Sequence, residues 1–205
     1  MEEKKNNISR RNFVKGSSLA AGGILLTPSL LTASPIFNKT KKLKIAVVGC
    51  GGRGTGAASQ ALKADKNVEL VAMADAFEDR LEKAYMSLSK IFSATDKLNV
   101  KPSHKFVGFG SYKKAIDAAD VVILTTPPGF RPKHFEYAVS QGKHVFMEKP
   151  VATDVAGIKK VLEAAKVAKA KKLNVVVGLQ KHYQASYLEA YKHIQKGAIG
   201  QIVSG

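Results

Sequence analysis

A glycine-rich loop between an apolar run and a helical pattern is the part of this chain whose residue types most clearly suggest chemistry. The residues Gly49-Cys50-Gly51-Gly52-Arg53-Gly54 have the spacing G-x-G-x-x-G and follow the apolar run 43–48. In a strand–loop–helix unit, Gly49 permits a tight turn, Gly51 lets the backbone approach a diphosphate, and Gly54 lets the helix pack closely on the strand. The first N–H groups of the helix then attract an anion. The loop, with Gly52 and Arg53 inside it, therefore predicts a dinucleotide site.

A carboxylate at the end of the second apolar run indicates which dinucleotide binds. The run 68–74 ends at Asp75, 21 residues after Gly54, and an acidic residue at this spacing accepts hydrogen bonds from the adenosine ribose. A 2′-phosphate within ~4 Å of this carboxylate would meet a repulsion of roughly 4 kcal/mol per charge pair at an effective dielectric constant near 20. NAD is therefore the expected cofactor, and NADP is less favoured. Arg80 lies near enough in sequence to soften that repulsion, but a solvated helix position is the simpler interpretation.

Three further polar clusters lie where strands are expected to end, and ligands of parallel sheets bind outside the carboxyl ends of the strands. They are Thr125-Thr126-Pro127-Pro128, Glu148-Lys149-Pro150 and Gln180-Lys181-His182. The first cluster is expected to contact ribose groups through its backbone, although an ordinary turn has the same pattern. A lysine beside a glutamate is suited to orienting or deprotonating a hydroxyl, although spacing alone fits a surface ion pair equally well. We expect Glu148 and Gln180 to contact the cofactor, and Lys149 and His182 to contact the substrate.

Apolar runs alternate with helical patterns from residue 43 to residue 180. The expected strands are residues 43–48, 68–74, 105–109, 120–126, 144–147 and 174–179. The expected helices lie around residues 57–62 and over residues 77–92, 112–119, 132–141 and 154–172. This alternation predicts an α/β fold of the Rossmann type, a doubly wound parallel sheet with helices on both faces. Residues 181–205 are expected to form only the start of a second, α+β domain.

Composition and charge exclude several other classes. The chain has 205 residues, of which 45% are hydrophobic and 24% charged, as in a globular protein. Its net charge is +17, but the lysines are dispersed and no basic patch is interleaved with aromatic residues, so nucleic acid is not an expected partner. Cys50 is the single cysteine, which excludes an intrachain disulfide and a cysteine metal cluster, and no metal site is predicted. Its place in the glycine loop indicates a small residue near the diphosphate rather than a reactive thiol.

The first 42 residues have the pattern of an export signal and a linker. Ser9-Arg10-Arg11-Asn12-Phe13-Val14-Lys15 is a twin-arginine motif, and a mildly apolar stretch over residues 16–31 follows it. This stretch is shorter than the roughly 20 apolar residues of a membrane span, so a cleaved signal is expected rather than a stable membrane anchor. The interpretation places the protein in the periplasm. Because the twin-arginine route carries folded proteins, we also expect the cofactor to be bound before export.

The glycine loop, the Pro127-Pro128 turn and the segment Gly142-Lys143-His144-Val145-Phe146-Met147-Glu148-Lys149-Pro150 together resemble the glucose–fructose oxidoreductase and inositol dehydrogenase family (Gfo/Idh/MocA). The resemblance begins near residue 42, and the Glu-Lys-Pro motif is its most diagnostic part. It implies a Rossmann domain for NAD or NADP over residues 43–180, followed by a domain on an open antiparallel sheet for substrate and oligomer contacts. By this likeness Lys149 is the lysine of the catalytic site, Glu148 supports it near the nicotinamide, and Pro150 shapes the turn.

The same resemblance implies what the rest of such a protein contributes. The family's downstream aspartate and histidine, which complete proton transfer, have no counterpart in residues 181–205. This sequence is therefore expected to bind a dinucleotide and to be incomplete for turnover. A homo-oligomer is expected where the second domain is present.

Three functions are consistent with these residues. The first is an NAD-dependent oxidoreductase that takes a hydride from a sugar or cyclitol hydroxyl carbon, with Lys149 helping to remove the hydroxyl proton. The second is an NAD-dependent glycoside hydrolase that acts through a transient keto-sugar, because the exported form also resembles the branch with NAD-dependent α-N-acetylgalactosaminidases. The third is a non-catalytic dinucleotide-binding protein. Net NADH production, sugar release without it, or neither would distinguish the three.

Overall fold

The structure, a computed structural model, describes residues 42–204. Strands and helices alternate along nearly all of this part of the chain. The strands are β1 Leu43–Val48, β2 Val68–Asp75, β3 Lys105–Val107, β4 Val121–Leu124, β5 His144–Met147 and β6 Val175–Val177. The helices are α1 Gly52–Ala64, α2 Glu78–Phe92, α3 Tyr112–Asp117, α4 Arg131–Ser140, α5 Val155–Ala170 and α6 Ala185–Gln195. The predicted export signal lies outside the described residues.

The six strands form one parallel sheet in the order β3-β2-β1-β4-β5-β6. In register, Val47 lies opposite Met73 of β2 on one side and Ile123 of β4 on the other. The chain therefore winds outward from β1 in one direction and then from β4 in the other, and the winding reverses between these two strands. In such a sheet, ligands bind in the crevice at the carboxyl ends of the strands where the winding reverses. The predicted Rossmann-type α/β fold is confirmed.

Alternate residues of each strand point into two separate cores. Ala46 and Val48 of β1 belong to the core under α3, α4 and α5, where Phe135 is fully buried. Ile45 and Val47 belong to the core under α1 and α2, with Leu62 and Leu88. Successive side chains of a strand point to opposite faces of the sheet. Because both faces of the central strands are buried, nearly every residue in these strands is apolar. The two cores fix the strand ends, and the strand ends carry the predicted site residues.

Several element boundaries differ from those expected. β3 and β6 end two residues earlier than the sequence suggested, because each is an edge strand that pairs with a single neighbour. β4 ends at Leu124 rather than at residue 126, because the Thr125 hydroxyl turns back to the carbonyls of Val48 and Gly49. α4 begins at Arg131, one residue before the expected start. The helix α6 was not predicted.

Within residues 42–204, none of the helices combines the length and the apolar character required to cross a membrane. The domain boundary expected near residue 180 stays a prediction. β6 ends three residues before it, and the residues of α6 are exposed.

Candidate functional site

An open cleft of ≈ 1190 Å³ lies at the carboxyl ends of the strands, where the winding of the sheet reverses. Its volume exceeds the roughly 300–1,000 Å³ of pockets for drug-sized ligands, so a long ligand is accommodated. Most of the predicted site residues line it: Gly49, Gly51, Gly52, Arg53, Asp75, Thr125, Thr126, Pro127, Glu148, Lys149 and Gln180. Gly54 and His182 are not part of its wall.

Two of the loop glycines are required by the backbone itself. Gly49 has φ +97°, in the region that side chains rarely adopt, and a Cβ there would lie 2.6 Å from the Thr126 nitrogen. A Cβ on Gly54 would lie 1.8 Å from the Gly49 carbonyl oxygen. The start of α1 therefore packs directly on the end of β1, as the spacing predicted, and Gly54 acts from behind the cleft.

The start of α1 is open towards the cleft. Gly51 precedes the helix, makes no side-chain cap, and a Cβ on it would approach only the Arg80 guanidinium, at 3.9 Å. A Cβ on Gly52 would meet no atom of residues 42–204 within 4 Å. The first backbone bond of the helix runs from the Thr55 N–H to the Gly51 carbonyl at 2.9 Å, so the preceding N–H groups have no helical acceptor. Donors with this arrangement are suited to a diphosphate.

Asp75 has a structural role in the glycine loop that the sequence did not predict. One carboxylate oxygen accepts a hydrogen bond from the Cys50 N–H at 2.6 Å, and the other accepts one from the Phe77 N–H at 3.0 Å. The side chain thus holds the glycine loop against the end of β2. Each oxygen retains lone-pair capacity for a ribose hydroxyl, because a carboxylate offers about four acceptor sites.

Cys50 is buried in the loop, where its thiol lies 3.4 Å from the Ala74 carbonyl. Burial raises the pKa of Cys50 well above its ordinary value, and the Asp75 carboxylate raises it further. The thiolate is the reactive form of cysteine, so this environment disfavours a reactive thiol. The geometry fits the expectation of a small residue tolerated beside the diphosphate.

Three phenylalanines on the cleft wall were not predicted. Phe109 lies between Phe77 and Phe130, with ring centroids at 6.5 Å and 6.0 Å respectively. Phe109 is 70% exposed. Exposed aromatic faces beside Asp75 provide an apolar surface on which a flat base can stack. Each of the three lies two to six residues beyond the end of a strand, and that position in the sequence is the signal that could have identified them.

Glu148 is buried and forms an ion pair across the cleft. Its carboxylate accepts from the Arg53 Nε at 2.7 Å and lies 2.6 Å from Arg53 Nη2, so the glycine loop and the end of β5 are tied together. Gly178 makes room for it, since a Cβ at that position would lie 3.0 Å from the Glu148 Oε1. Lys149, the next residue, is exposed and lines the cleft. The two neighbouring side chains therefore lie in different environments, as an extended segment predicts.

Two buried polar residues of α4 were also missed. Arg131 donates hydrogen bonds to the Thr126 and Pro150 carbonyls, and burial lowers its pKa while the nearby Glu148 carboxylate acts in the opposite direction. The His134 ring stacks on Tyr112 with centroids 4.2 Å apart, and its Nδ1 lies 3.2 Å from the Thr126 hydroxyl oxygen. Burial lowers the pKa of His134 to about 4, with Lys133 and Arg131 adding to the effect. The neutral ring therefore holds Thr126 at neutral pH.

The burial of His134 predicts a pH dependence of stability. The folded protein binds this proton with a pKa of about 4 and the unfolded chain with 6.5, so acid favours the unfolded state. The free energy of unfolding should fall by up to roughly 3 kcal/mol as the pH drops from about 6.5 to 4. His134→Gln should remove this part of the decrease, whereas the exposed His193→Gln should not. Urea unfolding across this pH range measures it, and identical slopes in both variants would contradict it.

The residues 180–182 form a short 3₁₀ turn after β6. Gln180 lies on the cleft wall, whereas His182 is exposed and is not part of it. The structure thus brings Gln180 to the other predicted cofactor residues and leaves His182 apart from them.

Comparisons with known proteins agree with this geometry. The chain is 29% identical over 151 residues to a glycosyl hydrolase family 109 protein of Solibacter usitatus, covering 72% of this chain and 34% of that protein. It is 28% identical over 163 residues to inositol 2-dehydrogenase 4 of Saccharopolyspora erythraea, covering 78% of this chain and 43% of that protein. The chain thus spans less than half the length of these curated relatives.

A solved structure is similar as well. The scyllo-inositol dehydrogenase of Lactobacillus casei, determined with bound NAD(H) and scyllo-inositol, superimposes with a TM-score of 0.61 at 25% identity, over 79% of this chain and 43% of that one. A family model described as an oxidoreductase family with an NAD-binding Rossmann fold matches residues 43–179, which include every element from β1 to β6. The chain belongs to this family, the Gfo/Idh/MocA oxidoreductases.

Proposed function

We propose that the protein is an NAD-dependent oxidoreductase that removes a hydride from a CH–OH carbon of a sugar or cyclitol. The observation that carries the proposal is a single cleft that contains the open glycine loop, Asp75 and Lys149. The relatives named as inositol dehydrogenases support a polyol as the class of substrate.

The cleft offers groups suited to each part of a dinucleotide. The uncapped start of α1 offers N–H donors for the diphosphate, and Asp75 offers acceptors for the adenosine ribose. The phenylalanines around Phe109 offer a surface for the adenine. When bound, NAD supplies a nicotinamide ring that accepts a hydride.

The residues at the other end of the cleft are suited to the proton and the substrate. Lys149 is exposed there, and its Nζ, as the unprotonated amine, would accept the hydroxyl proton while the carbon that bears this hydroxyl would lose its hydride to the nicotinamide. Glu148 is held by Arg53 and keeps the turn in place, so its contribution is to position rather than to transfer the proton.

Asp75 predicts a preference for NAD over NADP. We expect tighter binding of NAD by the wild-type protein, because a 2′-phosphate would be repelled by this carboxylate. Asp75→Asn preserves one acceptor oxygen while removing the charge, and should narrow the preference. Asp75→Ala should also weaken NAD itself, because the Cys50 N–H loses its acceptor and the glycine loop its anchor. Titration calorimetry with both dinucleotides measures this, and equal or tighter NADP binding by the wild type would contradict it.

The reaction is tested with the full-length protein, by which we mean a chain that includes the expected second domain. It is incubated with NAD and a panel of inositols and aldoses, and reduced nicotinamide is measured by its absorbance. Net NADH production supports the dehydrogenase. The relative named as a family 109 glycosyl hydrolase favours a second candidate, which would release sugar from an aryl glycoside without net NADH. If the protein binds NAD but shows neither activity, the third function, a non-catalytic dinucleotide-binding protein, would be supported.

We also propose that the full-length protein is a homo-oligomer. A monomer in light scattering would contradict this.

We also propose export to the periplasm by the twin-arginine route, which the motif at residues 9–15 supports. Replacing Arg10 and Arg11 together by lysine should retain the protein in the cytoplasm, because the two arginines are recognised as a pair. Fractionation of cells followed by immunoblotting measures this. Undiminished protein in the periplasmic fraction would show that the leader is not a twin-arginine signal.

A further inference from the structure

Arg131 occupies a position that stability alone does not favour. It is 3% exposed, and arginine is rarely buried to that extent unless it is paired. It is also the first residue of α4, where the helix dipole is unfavourable to a cation. A buried charge at this end of a helix calls for an explanation in terms of what its guanidinium contacts.

The guanidinium joins two turns of the cleft. Nη1 donates to the Pro150 carbonyl in the turn after β5, and Nη2 donates to the Thr126 carbonyl in the turn after β4. β4 and β5 are neighbouring parallel strands, and beyond β5 the backbone still bonds from the Glu148 N–H to the Leu124 carbonyl at 3.0 Å. Beyond this bond between the two backbones, the Arg131 guanidinium joins the two turns instead.

The third nitrogen of the Arg131 side chain differs from the two that reach the turns. Arg131 Nε is buried without a hydrogen-bond acceptor among the described residues. An unsatisfied buried donor is unfavourable, and an apolar side chain in its place would avoid that cost. The arrangement is therefore better explained by the positions of the two carbonyls than by a gain in stability.

Lys149 lies between two residues that are held in place by other parts of the cleft. On one side, Glu148 is fixed by its ion pair with Arg53, and on the other side the Pro150 carbonyl is fixed by Arg131. Lys149 itself is exposed, so its own packing does not determine where its ammonium lies. What its two neighbours fix is the backbone of Lys149, and therefore the point on the cleft wall from which its side chain extends.

We propose that Arg131 is a positioning residue for Lys149, which it holds at the nicotinamide end of the cleft by fixing the turn at residues 148–150 to the turn at residues 125–128. The inference rests on the proposed oxidoreductase function. Displacement of a reacting group by about 1 Å reduces turnover by up to roughly 10²-fold, which sets the size of the effect to be expected. Arg131 also fixes the turn at residues 125–128, which is expected to contact a ribose of the cofactor. The diphosphate and adenosine subsites lie at the glycine loop and Asp75, so NAD affinity should change much less than kcat.

The test uses the full-length protein with Arg131→Gln, Arg131→Lys and the exposed control Lys133→Gln. We expect Arg131→Gln to lower kcat by about 10–100-fold with the NAD dissociation constant changed by less than about threefold. Arg131→Lys should fall between this variant and the wild type, because one ammonium cannot reproduce the planar fork that reaches both carbonyls. Lys133→Gln should leave kcat and NAD affinity unchanged.

A double-mutant cycle with Lys149→Ala separates positioning from a general structural role. If Arg131 acts through Lys149, then Arg131→Gln/Lys149→Ala should have the kcat of Lys149→Ala alone. Additive losses, or a loss of NAD affinity as large as the loss of kcat, would overturn the proposal, as would failure of both Arg131 variants to fold. Absence of turnover in the wild type would instead overturn the proposed function and the positioning role with it.

Discussion

Lys149→Ala should lower kcat by about 10²–10⁴-fold, the usual loss when an acid–base group is removed. The structure places Lys149 on the cleft wall next to the buried Glu148, whereas the diphosphate is expected at the N–H groups at the start of α1. NAD affinity should therefore change little. Steady-state kinetics of the full-length protein, with NAD binding measured by calorimetry, provides both values.

Lys159→Ala is a suitable control for Lys149→Ala, because Lys159 is exposed on α5 and is not part of the cleft wall. It should retain full turnover and full NAD affinity. If Lys149→Ala kept its turnover and lost NAD instead, Lys149 would be a cofactor contact, and its assignment to proton transfer would be wrong.

Gly54→Ala should lower NAD affinity by roughly 10–100-fold and destabilise the fold. Its Cβ would lie 1.8 Å from the Gly49 carbonyl oxygen and 2.7 Å from the Thr125 hydroxyl, so α1 must move away from β1. Overpacking of this kind costs about 1–3 kcal/mol. Each 1.4 kcal/mol of this cost that is lost from the binding free energy weakens the NAD dissociation constant about tenfold. Calorimetric titration and urea unfolding measure the two effects.

Gly56→Ala is the matched control two residues further along α1. A Cβ on Gly56 would meet no atom within 4 Å in the part of the chain that the structure describes, and alanine is the better helix former, so this variant should gain about 0.5–1 kcal/mol of stability. Its NAD affinity should be unchanged. Equal NAD binding by the Gly54 and Gly56 variants would show that close packing of the glycine loop is not required for the cofactor.

The glycine loop could be predicted from sequence because its requirements are local. Gly49 needs a positive φ and Gly54 needs contact with the strand that precedes it, so both are encoded in the spacing of a short segment. Asp75 could be placed for the same reason, since it ends the next strand. Its second function, as acceptor for the Cys50 N–H, depends on how the loop folds back and is not visible in the spacing.

The residues that the sequence did not reveal depend on tertiary packing. Arg131 reaches carbonyls 5 and 19 residues away, and Arg53 pairs with a glutamate 95 residues away, so no local pattern connects them. Nothing in the sequence near His134 indicates that its side chain is buried. The burial depends on stacking against Tyr112, which belongs to another helix. Conversely, the position of His182 just after a strand end predicts a substrate contact, but the 3₁₀ turn at residues 180–182 leaves it off the cleft wall.

A crystal structure of the protein with NAD tests the central claim most directly. We predict the diphosphate within hydrogen-bond distance of the N–H groups at the start of α1, the adenosine ribose at Asp75 and the nicotinamide ring on the side of Lys149. A dinucleotide bound in the reverse direction, with its adenosine at Lys149, or bound outside this cleft, would contradict the account.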